Sequence, residues 1–190
     1  PEGEFSAGHI PKSIFIGING GFAPWVGALI LDIKQPLLLV TPEGKEEETI
    51  MRLSRVGYDN TLGYLKGGFE TWKNSGFDYD TVESITAEEL ENRMKKDIPV
   101  FDVRKPGEYS SEHILDVPST PLDFLNDHLA EFPKEEPFYI HCGGGYRSMI
   151  ALSILKSRGY HNGIDVLGGF AAIKKTGIKT TNYVCPSTLT

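Results

Sequence analysis

The sequence has little cysteine and no long hydrophobic run, and both shortages limit the kinds of protein it can be. The two cysteines among 190 residues, Cys142 and Cys185, are too few for a disulfide framework. We therefore expect a reducing, cytoplasmic setting. The most apolar stretch, residues 28–40, is interrupted by Asp32, Lys34 and neighbouring polar residues. It falls short of the roughly 18 consecutive apolar residues of a membrane span, so we expect no transmembrane helix.

Basic residues are also in short supply. Lysine and arginine number 19 against 26 aspartates and glutamates, which gives a formal net charge of −7. This balance argues against nucleic acid and against anionic membranes as partners. No spacing of cysteine and histidine suggests a zinc site, and we predict neither a metal nor a cofactor. A hydrophobic content of 39% can still support a core, and the length allows one large or two small domains.

The most informative stretch is residues 140–148, IHCGGGYRS. It follows a short apolar run, which predicts a buried strand over 137–141, and precedes an unbroken helical pattern over 149–156. Three glycines (Gly143, Gly144 and Gly145) let the backbone turn tightly and direct its N–H groups inward. Together with the helix start, such a cradle suits an anion and favours the thiolate form of Cys142.

The residues after the glycines have assignable roles in this interpretation. Arg147 adds a fixed positive charge, and two compatible roles are open for it: holding the loop through carbonyl groups and binding an anionic donor. Ser148 is predicted as the cap of the following helix. Asp102 and Arg104 are predicted to pin loops around the end of a preceding strand, with Arg104 as a minor candidate for substrate contact.

An internal repeat organises the whole chain. Four short blocks recur in the same order about a hundred residues further on, which is a typical domain size. The matched blocks are residues 4–6 with 108–110, 9–10 with 113–114, 57–60 with 159–162, and 67–69 with 168–170. We predict two tandem domains, residues 1–80 and 84–182. His9 and His113 occupy equivalent positions, which indicates a structural role for both.

Within each unit, strands alternate with helices, which predicts an α/β fold with a mostly parallel sheet and helices on both faces. In the second unit a capping box at Thr86 and Glu89 opens a helix over 86–96. The other predicted elements are strands at 99–103, 137–141 and 162–167 and helices at 122–129, 149–156 and 170–175.

The first unit is predicted to have the same fold as the second but no catalytic cysteine loop. Its equivalent of the cysteine strand, residues 36–40, is followed by residues 41–48, which contain three consecutive glutamates and no cysteine. We expect it to be N-terminally truncated, since preceding residues would supply its equivalent of Val100–Arg104. The segment Gly17–Ile30 has no counterpart in the second unit, and its Phe22 and Trp25 are expected either in the core or in an interface.

These motifs resemble the rhodanese family. The matching stretches are residues 101–104 (FDVR), 108–109 (EY), 113–114 (HI), 142–148 (CGGGYRS) and 168–170 (GGF). More closely, the chain is similar to the C-terminal tandem rhodanese part of fusions that carry an upstream metallo-β-lactamase-fold persulfide dioxygenase domain. Such a domain is therefore a possible partner.

The resemblance implies a sulfurtransferase. Cys142 would take sulfane sulfur from a donor such as thiosulfate or glutathione persulfide and pass it to a thiol or cyanide. Arg147 would assist catalysis, and the loop residues Gly143, Gly144, Gly145, Tyr146 and Ser148 would hold the persulfide. Glu112 stands where the family usually has glycine, which puts the shape of that turn in question.

Two alternatives stay open. The first is a cysteine-dependent phosphatase or arsenate reductase, but those enzymes place five residues between cysteine and arginine, whereas four lie between Cys142 and Arg147. The second is a non-catalytic persulfide carrier or scaffold for the upstream domain.

His141 is expected to pack on the opposite face of its strand. Cys185 is expected to be an incidental free thiol or, alternatively, a resolving thiol for Cys142. A further hypothesis places Glu108 near the site, where its charge would disfavour a dianion such as thiosulfate.

Overall fold

The computed structural model describes residues 1–185 and divides the chain into two compact units. The first contains residues 3–11 and 16–81 together with Pro1. The second begins at Val82 and includes residues 12–15 and Glu2. Phe15 illustrates why that short segment groups with the second unit, because its N–H donates to the Ser153 hydroxyl at 3.0 Å.

The first unit is built on a two-stranded parallel sheet. Its elements in chain order are α1 (Glu2–Ala7), α2 (Phe22–Leu29), β1 (Leu37–Leu39), α3 (Glu46–Ser54), β2 (Thr61–Tyr64) and α4 (Gly68–Asn74). A small core of Phe22, Val26, Leu53 and Tyr58 holds α2 and α3 together. The strand predicted over 36–40 is therefore present as β1.

The second unit has a four-stranded parallel sheet in the order β3-β6-β5-β4, as expected for an α/β fold. Its strands are β3 (Glu83–Ile85), β4 (Val100–Asp102), β5 (Phe138–His141) and β6 (Gly163–Val166). Its helices are α5 (Ala87–Arg93), α6 (Pro106–Ser111), a 3₁₀ segment (Leu122–Glu131), α7 (Tyr146–Ser157) and α8 (Gly169–Ile173). The pairing of α7 with the 3₁₀ segment and of α5 with α8 gives a helical layer on each face of the sheet.

Most boundaries in the second unit follow the sequence pattern, with differences at helix ends. The predicted capping box is present, since the Thr86 hydroxyl accepts the Glu89 N–H and the Glu89 carboxylate accepts the Thr86 N–H. The helix of the cysteine loop begins at Tyr146, three residues before the predicted start. Gly145 has a φ of 117°, a left-handed value that glycine adopts readily, so the chain enters the helix directly after the third glycine.

The first unit repeats the last six elements of the second. The order α1-α2-β1-α3-β2-α4 corresponds to α6, the 3₁₀ segment, β5, α7, β6 and α8. The prediction that residues 17–30 have no counterpart is therefore wrong, because α2 occupies the place of the 3₁₀ segment. Phe22 and Trp25 on that helix are buried, and Phe22 belongs to the core of the unit.

Within the described residues, the first unit has no counterpart of β3, α5 and β4. One face of its sheet is accordingly open to solvent, with Leu38 78% and Leu62 66% exposed. The equivalent side chains of the second unit, Tyr139 and Ile164, are each 5% exposed and pack in its main core beside Leu90 of α5.

Candidate active site

The thiol of Cys142 lies at the carboxyl end of β5, directly after His141, and is 1% exposed. The Gly145 N–H donates to Cys142 Sγ over a donor–acceptor distance of 3.1 Å. Because α7 starts one residue later, the thiol also lies at the N-terminus of a twelve-residue helix. The turn thus presents the Gly145 N–H to the sulfur.

Helix α8 braces the turn from outside. The Phe170 N–H donates to the Cys142 carbonyl at 2.6 Å, and the Ala171 N–H donates to the Gly143 carbonyl at 3.2 Å. A Cβ at Gly169 would lie only 2.4 Å from the Cys142 oxygen, so glycine is required there for α8 to come this close. These bonds direct the Cys142 and Gly143 carbonyls towards α8, while the Gly145 N–H donates to the thiol.

Asp102 and Arg104 support α8 and a neighbouring turn, in agreement with their predicted pinning role. The Arg104 side chain donates to both carboxylate oxygens of Asp102, with Nη2 to Oδ2 at 2.6 Å, and also to the Glu112 carbonyl at 2.7 Å. Its guanidinium carbon lies 3.8 Å from the centre of the Phe170 ring. Glu112 itself has an extended φ of −167°, which any residue adopts, so the turn does not require a glycine.

Arg147 pairs with Glu108, a contact that the sequence analysis did not identify. Arg147 Nη2 donates to Glu108 Oε1 at 2.8 Å, and Nη1 donates to Oε2. Within residues 1–185 the guanidinium thus bonds a carboxylate, and the alternative of bonding loop carbonyls is wrong. The hydrogen bond from Arg147 lowers the pKa of Glu108, and the same bond raises the pKa of Arg147.

Tyr146 and Ser148 lie in the first turn of α7. The Tyr146 ring packs edge-on against Phe15 at a centroid distance of 5.8 Å. The Ser148 hydroxyl donates to the Gly145 carbonyl at 2.9 Å, and Gly145 occupies the cap position. The prediction of Ser148 as the helix cap is therefore wrong, because α7 already begins at Tyr146 and Ser148 lies inside its first turn.

Asp165 on β6 is a buried carboxyl group that the sequence analysis missed. It is 3% exposed, and among the described residues its Oδ1 has no hydrogen-bond partner. Burial raises its pKa to about 6. The signal that could have found it is an acidic residue inside a short apolar strand, since such strands are buried on both faces of a parallel sheet.

The two equivalent histidines have equivalent contacts. His9 Nδ1 lies 2.9 Å from the Phe5 carbonyl, and His113 Nδ1 lies 2.7 Å from the Tyr109 carbonyl. Each ring also stacks on the aromatic ring four residues earlier. Because the first unit has no cysteine at the equivalent loop, this shared geometry supports a structural role for both.

His141 is fully buried next to Asp102. Its Nε2 lies 3.8 Å from Asp102 Oδ2, and its ring stacks on Phe170 at a centroid distance of 6.0 Å. Burial lowers the pKa of His141. A neutral, packed imidazole agrees with the predicted packing role.

Thr41 occupies the position of Cys142 in the first unit. It follows β1 as Cys142 follows β5, and a Cβ at Gly68 would lie 2.7 Å from the Thr41 oxygen, as Gly169 approaches Cys142. Gly44, with a φ of 78°, stands in the place of Gly145. The first unit therefore keeps the turn and one of its glycines but presents a hydroxyl instead of a thiol.

Other kinds of site are not found in the part of the chain that the structure describes. Residues 1–185 contain no group of side chains that could hold a metal ion and no helix long and apolar enough to cross a membrane. The exposed Cys185 and the buried Cys142 are not joined by a disulfide.

The fold and this site together define a class: a parallel α/β domain with a thiol held in a backbone cradle at a strand end. The model of the rhodanese-like domain family matches residues 1–75 and 86–176, so the chain belongs to that family and carries two such domains in tandem.

Individual relatives match about half of the chain. The adenylyltransferase and sulfurtransferase uba4 of Ogataea parapolymorpha is 35% identical over 95 residues, 48% of this chain and 24% of that protein. The chain therefore spans only about a quarter of that relative's length. The thiosulfate sulfurtransferase GlpE of Coxiella burnetii is 28% identical over 96 residues, 50% of this chain and 88% of that protein. A crystal structure of a rhodanese-like domain protein from Staphylococcus aureus is 33% identical with a TM-score of 0.48, covering 52% of this chain and 97% of its own.

Proposed function

We propose that the protein is a sulfurtransferase that carries sulfane sulfur on Cys142. The Cys142 thiolate attacks the outer sulfur of a donor, such as thiosulfate or glutathione persulfide, and forms a new S–S bond. The donor's own S–S bond breaks, and its electron pair leaves with sulfite or with the glutathione thiolate. A thiol or cyanide then attacks the outer sulfur of the Cys142 persulfide and releases the thiolate, so no oxidant is required.

The contact between the Gly145 N–H and Cys142 Sγ, at 3.1 Å, carries this proposal. Fixed backbone donors stabilise negative charge on sulfur without reorganising when the persulfide forms. We propose that the amides from Gly143 to Ser148 hold the outer sulfur. The sulfurtransferase relatives support the same reaction type.

Two other functions differ in the ligand or in the fate of the sulfur. A phosphatase or arsenate reductase needs room for a tetrahedral oxyanion, which the four-residue gap between Cys142 and Arg147 disfavours. A non-catalytic carrier would load Cys142 but release sulfur only to a protein partner, such as an upstream metallo-β-lactamase-fold domain.

Loading of Cys142 tests the proposal directly. Incubation with thiosulfate or glutathione persulfide should add about 32 Da to the peptide that contains Cys142, one sulfur atom for a covalent intermediate. Cys142→Ser should abolish both the mass increase and sulfur transfer to cyanide, whereas Cys185→Ser, which removes the other cysteine, should retain them.

The outcomes separate the three functions. Full transfer by Cys142→Ser would overturn the mechanism. Phosphate release from an aryl phosphate without sulfur loading would favour the phosphatase. Loading without transfer to any small thiol or cyanide would favour the carrier.

A further inference from the structure

The ion pair between Arg147 and Glu108 lies at the turn that holds the thiol, yet the transfer chemistry above does not use it. Both nitrogens at the end of the guanidinium donate to Glu108, and one of these contacts measures 2.8 Å. This is the bidentate geometry in which arginine also binds sulfonate-like and phosphate-like anions. A small anion therefore competes with Glu108 for the same fork of donors.

The position of the pair relative to the turn follows from Gly143, the residue after the thiol. A Cβ at Gly143 would lie 2.9 Å from Arg147 Nη2 and 3.7 Å from Glu108 Oε1. Because Gly143 directly follows Cys142, these distances place the ion pair beside the turn that carries the thiol. A donor that reaches Cys142 therefore meets a carboxylate and a guanidinium together.

Glu108 is fixed and ionised at neutral pH. Its Oε2 also accepts the Lys105 N–H at 3.2 Å, in addition to the bonds from Arg147. The bond from Arg147 lowers its pKa from the ordinary value of a glutamate. The carboxylate thus compensates the positive charge of Arg147. A dianion at the thiol is repelled by Glu108, and it gains no attraction from the Arg147 guanidinium, which is already bonded to Glu108.

We propose that Glu108 is a specificity-determining residue that disfavours dianionic donors by occupying the guanidinium of Arg147. The proposal rests on the sulfurtransferase function given above. The site consequently favours donors that bring little charge close to the reacting sulfur, the class of organic thiol persulfides, over the compact dianion thiosulfate.

The isosteric variant Glu108→Gln tests this role because it keeps the side-chain shape and can still accept the Lys105 N–H. Donor preference is measured as kcat/KM for thiosulfate divided by kcat/KM for glutathione persulfide. We expect this ratio to rise by about tenfold, mainly through a lower KM for thiosulfate, because the Glu108 side chain is 40% exposed and water screens its charge. Raising the salt concentration should reduce the gain.

Two further variants separate this role from a general effect. Glu112→Gln removes the same charge nearby, but Glu112 pairs with Lys174, with Nζ to Oε2 at 2.6 Å, and should leave the ratio unchanged. The double variant Glu108→Gln with Arg147→Gln should return the ratio to that of the unmodified protein. The Arg147 guanidinium released by Glu108→Gln is the proposed cause of the rise, and the second substitution removes it. Circular dichroism confirms that each variant is folded.

The outcomes also separate this proposal from the function on which it rests. If unmodified protein loads sulfur on Cys142 and Glu108→Gln leaves the ratio unchanged, the role of Glu108 is overturned and sulfur transfer stands. The role of Glu108 is overturned as well if thiosulfate is inactive with both proteins. If no donor loads Cys142 in unmodified protein, the proposed function fails and the specificity role of Glu108 fails with it.

Discussion

A single buried carboxyl group, that of Asp165, is expected to make the stability of the second unit depend on pH. Burial raises its pKa to about 6, above the value near 3.9 of an unfolded aspartate. The folded state therefore holds the proton more tightly, and stability is lost as the pH rises from about 4 through about 6. A shift of about two units corresponds to roughly 3 kcal/mol at neutral pH.

Asp165→Asn should remove this dependence. We expect the variant to be more stable than the unmodified protein by roughly 1–3 kcal/mol at pH 7.5, since it buries no charge. Urea unfolding followed by circular dichroism between pH 4.5 and 8 measures the difference. Asp127→Asn, at an exposed position of the 3₁₀ segment, is the control and should change neither stability nor slope. Equal pH slopes for the Asp165 variant and the unmodified protein would contradict the expectation.

The contrast between Cys142 and Glu108 shows which single residues can be identified from the sequence. The proposed role of Cys142 rests on its immediate neighbours, three glycines and a helix start, because the turn is a local structure. The Arg147–Glu108 pair joins residues 39 positions apart, and no local pattern specifies which side chains a sheet brings together. The burial of Asp165 depends in the same way on long-range packing.

Among the elements, α8 controls the shape of the cysteine turn through its first residues. Gly169→Ala should impair sulfur transfer by at least about tenfold, because its Cβ would lie 2.4 Å from the Cys142 carbonyl and force α8 off the loop. Gly169 also has a φ of 53°, so the substitution adds backbone strain of roughly 1–2 kcal/mol. Steady-state transfer to cyanide, with circular dichroism as the check on folding, measures the effect.

Gly68→Ala is the matched control in the first unit. Gly68 has a φ of 60°, and its Cβ would lie 2.7 Å from the Thr41 carbonyl. The strain is comparable, but Thr41 carries no thiol, so transfer by Cys142 should persist. A Gly169 variant as active as the Gly68 variant would show that α8 does not shape the turn.

The strands were easier to predict than the helix ends, for a physical reason. The apolar runs that became β4, β5 and β6 identify buried strands within about one residue. The start of α7 depends on the conformation of Gly145, and the polar Ser148 drew the predicted boundary three residues too late. Likewise, the composition of residues 17–30 did not reveal that α2 replaces a 3₁₀ segment, since the two share position and packing but little sequence.

The two units differ in whether one face of the sheet is covered: it is packed in a core in the second unit and exposed in the first. In the second unit, Ile85, Ala87 and Leu90 pack with Ile164 in one core. The described part of the first unit has no equivalent of these elements, and Leu62, the counterpart of Ile164, is 66% exposed. The same position in the repeat should therefore make very different contributions to stability.

Substitution of both residues by alanine measures this difference. Ile164→Ala should lower the free energy of unfolding by about 2–5 kcal/mol, because it leaves a cavity in a packed core. Leu62→Ala should lower it by less than about 1 kcal/mol, because most of that side chain is already in contact with water. Both tryptophans, Trp25 and Trp72, belong to the first unit, so their fluorescence during urea unfolding reports on Leu62→Ala, while circular dichroism follows Ile164→Ala. A loss at Leu62 as large as that at Ile164 would mean that this face is covered in solution, and that its exposed leucines are core residues of a larger sheet.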